Sequence, residues 1–189
     1  MARPSLCRDD SRIVQLGTPD RPESKPSAQS SGGVNAPGEA APGLGTPDLP
    51  ISSPQLRRLL ADWHARRRGR NLPARKDFDV LDLKYMMGNL NLLEVLRDPL
   101  RFRYRVHCSL AVDRVGLNLT GKTIDVYPEQ DYAARVHAAF VEVTHSRMPK
   151  LDAGYELIND KPIRFEALVL PLSDDGESVD MIMVGLKIS

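Results

Sequence analysis

The chain has 189 residues, 26 Lys and Arg against 25 Asp and Glu, a net charge of +1, and two cysteines. That length allows one domain of ordinary size but hardly two, and the near-neutral balance argues against a general polyanion binder. Cys7 and Cys108 offer neither a disulfide framework nor zinc-ligand spacing, so Cys108 reads as a small buried hydrophobe.

Residues 1–52 are mostly Pro, Gly, Ser and Ala with scattered charge, and their longest apolar run is "RIVQL". Such a segment cannot bury enough apolar surface to offset its ordering entropy, and a disordered tail is expected. The opening "MARPSLCRDD" lacks the apolar core of a secretory signal, and no later stretch approaches the roughly 20 apolar residues of a membrane span. A cytoplasmic protein is expected.

Residues 53–76 read as an amphipathic helix and a basic linker. Ser53 can cap the helix and Pro54 fits its first position, where no backbone N–H is needed. Leu56, Leu59, Leu60 and Trp63 then recur at helical spacing as one apolar stripe. The basic residues Arg66, Arg67, Arg68 and Arg70 follow, and Gly69 ends the helix. A short helical turn is predicted near Leu81–Met87.

From Asn89 the pattern changes to strands. "NLNLLEVLR" is an apolar run, "DP" a turn, and "RFRYRVHC" alternates with period two. An even loop places Glu94 opposite Arg103, Val95 opposite Phe102 and Leu93 opposite Tyr104. Phe102, Tyr104, Val106 and Cys108 are then expected to point inward, while Arg101, Arg103 and Arg105 form the wet face of an edge strand. After an irregular middle, Tyr132, Ala133, Val136, Ala139, Phe140 and Val143 define one face of a long helix that stops at "RMP". Three strands are predicted to follow, over 152–158, 163–172 and 178–188, joined by "NDKP" and "SDDGES".

"LTGKTIDVYPEQD", Leu119–Asp131, resembles the stretch of PAS domains in which a Gly-Lys step precedes an Asp and a Pro-Glu opens the long helix. "LPARKDFDVLDL", "LLEVLRDPLRFRYRV", "GLNLTGK" and "LPLSDDGESVDMIM" are similar to a family of small, single-domain bacterial PAS proteins, of a type found in alphaproteobacteria. The resemblance covers about Gln55–Ile188. It implies an α+β PAS fold over 77–189, with a five-stranded antiparallel sheet in the order 2-1-5-4-3, helices on its concave face, and the N-terminal amphipathic helix added.

If Asp180, Glu166 and Glu94 turn outward, Phe165, Met181 and Met183 face the same interior as Phe102 and Tyr104. With Val136 and Phe140 these form the candidate ligand pocket. Leu168, Leu170, Ile182 and Val184 then fall on the outer face, a patch too apolar to leave bare. The stripe Leu56, Leu59, Leu60 and Trp63 is its expected cover, and this junction is the candidate partner or homodimer interface.

PAS domains bind haem, flavin or small metabolites, or transmit through their surfaces alone. Haem would need an axial ligand such as His137 or His145; His137 lies beside the apolar stripe and reads as a boundary residue, so no cofactor and no metal are expected. A flavin photoadduct needs a cysteine in the helical middle, and Ser109–Asp125 has none. There is no phosphate loop, no "GxSxG" and no "HExxH"; Asp174 and Asp175 beside Gly176 read as a turn, and no enzyme is expected. The expectation is a stand-alone PAS-type sensory or adaptor protein of bacterial signalling. It acts through contacts with an unidentified signalling protein, with a small ligand as an option. The alternative is a nucleic-acid-binding regulator using the basic helix end Arg66–Arg70; that cluster reads more simply as a solvated complement to the helix dipole.

Overall fold

The computed structural model describes residues 48–158 and 161–188. Residues 1–47 of the tail expected to be disordered, and Asn159 and Asp160 of "NDKP", lie outside the described residues. The chain just before Ser53, which the sequence put with the tail, is part of the fold: Ile51 is buried and Leu49 packs against the core.

Helix α1 runs from Pro54 to Arg67, with the Ser53 hydroxyl accepting the Leu56 N–H and Pro54 in the first turn. It ends where Arg68 turns left-handed and Gly69 follows at φ 83°, a conformation glycine adopts without strain. Two 3-10 turns, Arg75–Asp77 and Lys84–Met86, lead to β1 (Leu90–Leu96) and β2 (Arg101–Val106). Helix α2 (Ser109–Val115), a 3-10 turn at Ile124–Val126 and helix α3 (Gln130–Ser146) precede β3 (Lys150–Ile158), β4 (Lys161–Leu172) and β5 (Met181–Ile188). The strands form one antiparallel five-stranded sheet in the order β2-β1-β5-β4-β3, as the resemblance implies.

The hairpin register is the one the charges dictate: Glu94 faces Arg103, Val95 faces Phe102 and Leu93 faces Tyr104. The Arg103 guanidinium donates to Glu94 at 2.6 Å. Beyond Leu93 the register slips, so that Leu92 pairs with Val106 and Arg105 is left as the extra residue. A bulge of this kind reverses the alternation. Val106, expected inward, is therefore turned to the opposite face and is 49% exposed.

A larger correction concerns β5. Leu93, on the α3 side of β1, pairs with Ile182, and Leu92, on the other side, pairs with Met183. Directly opposed residues share a face. Ile182 and Val184 thus face α3, and Met181 and Met183 face away, the reverse of the expected assignment. That assignment rests on Asp180 turning outward as part of the strand. Asp180 precedes the strand, where its carboxylate accepts the Asp174 N–H at 2.6 Å and closes the turn.

Helix α1 lies on the other face from α3, across β4 and β5. Leu56, Leu59 and Trp63 are buried there, and the Trp63 indole donates to the Pro171 carbonyl at 2.8 Å. Gly185 makes the approach possible: a Cβ on it would stand 2.5 Å from Leu59 Cδ2 and 2.9 Å from Leu56 Cδ2. The edge of β2 is partly closed, since the Tyr104 N–H donates to the Lys122 carbonyl and the Gly121 N–H to the Tyr104 carbonyl.

Candidate functional site

Between α3 and the sheet lies a cavity of about 70 Å³. Alternation on β4 and β5 supplies its apolar floor, Phe165, Ala167, Val169, Val184 and Leu186, and the stripe of α3 supplies its roof, Val136, Ala139 and Phe140. One end is polar. Tyr104 on β2 and Asn91 on β1 reach it because both share inward parity with Leu93, and His107 enters where the chain leaves β2 for α2.

These polar groups are unequally engaged. Asn91 Oδ1 accepts the Cys108 N–H at 2.7 Å, which leaves its amide nitrogen without a partner among the described residues. His107 Nδ1 accepts the Leu119 N–H at 3.2 Å, and its ring meets Tyr104 edge-on at 4.8 Å. Burial pushes the His107 pKa down, against the pull of the Leu117 carbonyl, so the ring is neutral. Tyr104 is only 5% exposed. Burial, with Tyr132, Tyr127 and Cys108 beside it, pushes its pKa well above the ordinary value and keeps the hydroxyl protonated. That hydroxyl has no hydrogen-bond partner among the described residues. The mouth is barred by Arg135, which pairs with Asp152 at 2.7 Å and lies over the rings of Tyr132 and Phe165.

A sheet backed by a cavity under one long helix is the layout that the sequence resemblance implied, and a family model described as a PAS domain matches residues 51–186. This chain belongs to the PAS domain family. The matched range includes α1, so the N-terminal helix falls within the family's own span. Solved structures with a similar fold include the PAS domain of Bordetella pertussis BvgS, at 18% identity and TM-score 0.43, covering 56% of this chain and 84% of that one. The Rhodobacter sphaeroides LOV protein is similar at 12% identity and TM-score 0.43 over 71% of this chain and 66% of that one. A domain of an HTR-like protein from Haloarcula marismortui is similar at 9% identity and TM-score 0.37 over 52% and 96%. No curated protein matches the chain.

Of the residues expected in the PAS pocket, Tyr104, Val136, Phe140 and Phe165 line the cavity. Phe102 is buried behind it, edge-on to Phe140 and His137. Met181 and Met183 lie on the opposite face, for the register reason given above. Asn91, His107, Arg135 and Asp152 were missed; Asn91 was legible, because a polar residue at the parity of Leu93 and Val95 must face inward. Of the expected interface residues, Leu56, Leu59, Trp63, Leu168 and Leu170 are buried between α1 and the sheet of one chain, and Leu60 is half-buried beside them. Ile182 and Val184 belong to the α3 side.

His137 is half-buried against Phe102 and does not line the cavity, and His145 is exposed near the end of α3. Among the described residues no cluster of His, Cys, Asp and Glu could hold a metal, and no helix is long and apolar enough to cross a membrane. Asp175 accepts hydrogen bonds from the Ser173 hydroxyl and the Glu177 and Ser178 N–H groups; it builds a turn. The basic helix end is engaged with its own chain. Arg66 donates to the Asp77 carbonyl and pairs with Asp82 at 2.9 Å, Arg67 donates to the Arg70 carbonyl, and Arg70 donates to the Arg67 carbonyl and pairs with Asp77. The cluster satisfies carbonyls that the helix end would otherwise leave unpaired.

Proposed function

We propose that this PAS domain is a sensory or adaptor module of bacterial signalling that takes a small ligand between α3 and the sheet and acts on other proteins through its surface. One observation carries the ligand part of this reading. The Tyr104 hydroxyl and the Asn91 amide nitrogen are on residues that line the cavity, and neither has a hydrogen-bond partner among the described residues. A hydrogen bond to each is open to whatever occupies the cavity, so a molecule or water that accepts from both is favoured there. Both groups donate, which selects an acceptor such as a carbonyl or carboxylate oxygen.

The volume sets the scale. About 70 Å³ is little more than twice the ~30 Å³ share of one liquid water, and well below the roughly 300–1,000 Å³ of drug-sized pockets. The ligand is therefore a short-chain carbonyl or carboxylate compound rather than a flavin or haem. We place the protein in the cytoplasm and give it no catalysis of its own; the Cys108 thiol, pushed up by burial, is a poor nucleophile. With Arg66, Arg67 and Arg70 engaged internally, the nucleic-acid reading loses its main support.

The test is a thermal-shift and calorimetric panel of acetate, propionate, butyrate and their uncharged ketone analogues. Saturable stabilisation by one of them, lost in Tyr104→Phe while that variant melts like the parent, is expected. A panel that stabilises neither protein, or both equally, overturns the ligand assignment.

A further inference from the structure

We infer that the uncovered part of the α1 face, over β1 and β2, is a docking groove for an acidic amphipathic helix of a partner protein. Helix α1 covers β4 and β5, and the segment with the two 3-10 turns covers only part of the rest. Between that segment and the sheet lies a groove of about 220 Å³, floored by Leu92 and Met183 and walled by Phe78 and Met86. It exceeds the ~150 Å³ that accommodates a benzene ring, so a Leu or Phe side chain can enter whole. At its rim Val80 is 64% exposed, Met87 76% and Val106 49%, and the neighbouring Leu81 is 75% exposed. Isolated exposed apolar residues need no explanation, but several gathered on one groove mark an interaction site. The bulge that turned Val106 outward builds part of this rim.

Charge chooses the occupant. Arg75 and Lys84 line the groove, and Arg103 and Arg105 stand beside Val106 on β2, sharing Glu94 between them at 2.6 and 3.7 Å. Of the nearby acids Asp82 pairs with Arg66, while Asp79, which accepts the Leu81 N–H, and Glu94 keep their charge, so Arg75, Lys84, Arg103 and Arg105 leave the rim net positive. A second copy would set one basic rim against another, and sheet-to-sheet continuation is hindered where residues 121–123 cover the β2 edge. A helix with apolar anchors and glutamates along its flanks meets both the groove and its rim. This surface is on the other side of the sheet from the cavity, and the inference does not depend on what the cavity holds.

The probe is a labelled synthetic helical peptide with Leu or Phe at i, i+3, i+4 and i+7 and Glu on its remaining face, titrated with the full chain by fluorescence anisotropy. Saturable binding is expected, weakening with salt. Met87→Glu and Lys84→Glu, both at exposed positions, should each weaken it about tenfold without changing the melting temperature. A peptide with Lys in place of Glu should not bind. The inference is overturned if the acidic peptide does not bind, or if both peptides bind alike. It is also overturned if Met87→Glu has no effect. Concentration-dependent dimerisation, or sedimentation with anionic phosphatidylserine vesicles, either of them abolished by Met87→Glu, would give the surface to a second copy or to a membrane and overturn it too.

Discussion

The two faces of this sheet are covered by helices of similar length yet built on opposite terms. Under α1 the packing is closed: Leu56, Leu59, Leu168 and Leu170 are fully buried, and the polar atom of Trp63 is matched to the Pro171 carbonyl. Under α3 the packing is incomplete, with a cavity, buried tyrosines, a neutral histidine and an ion pair across the opening. A well-packed interior has few voids of this size. One sheet thus carries a scaffold face and a site face, and the cavity with its polar lining distinguishes them.

The largest effect should come from the scaffold face. Trp63 is 1% exposed, and Trp63→Ala would leave a cavity and strip the Pro171 carbonyl of its donor, a loss of about 3–5 kcal/mol. Chemical denaturation should show it, whereas the wild-type stability in that variant would mean that α1 is not packed as described. Gly185→Ala tests the closeness of the same contact from the sheet side. Overpacking should cost about 1–3 kcal/mol and loosen α1 first, read as faster amide exchange in Leu56–Trp63 than in α3.

A smaller effect is expected at the entrance to α1. Burial raises the Glu166 pKa, but the Ser52 hydroxyl and the Ser53 and Ser52 N–H groups, with Arg164 nearby, outweigh it and hold the carboxyl below its ordinary value. The stabilisation is therefore complete above the ordinary glutamate range and is lost as pH falls through the depressed folded value. Glu166→Gln should lower stability by about 1–2 kcal/mol at neutral pH and flatten the acid limb of a stability-against-pH curve. An unchanged acid limb would remove Glu166 as the anchor. Smallest of all should be Tyr104→Phe on the site face, within about 1 kcal/mol of the parent, because the hydroxyl it removes has no partner among the described residues. A loss as large as that of Trp63→Ala would erase the contrast between the faces.

Local patterns determined much of this protein. The Ser53 cap and the stripe from Leu56 to Trp63 specify α1, since capping and helical spacing are read within a few residues. The Glu94–Arg103 pair specifies the hairpin register, since one residue of slip would turn every side chain over. Four of the seven expected pocket residues followed from local periods, Tyr104 and Phe165 from strand alternation and Val136 and Phe140 from helical spacing. Only the tertiary structure decided the rest. "MIMVGLKI" is apolar on both sides, so its sequence carries no parity, and pairing with β1 and β4 set which side chains face α3. The bulge at Arg105 reversed Val106 without any turn residue to announce it. The cavity's polar end joins Asn91, Tyr104 and His107 from two strands and a loop, and the bar across its mouth joins Arg135 of α3 to Asp152 of β3. Such meetings depend on how distant elements pack, which no local period records.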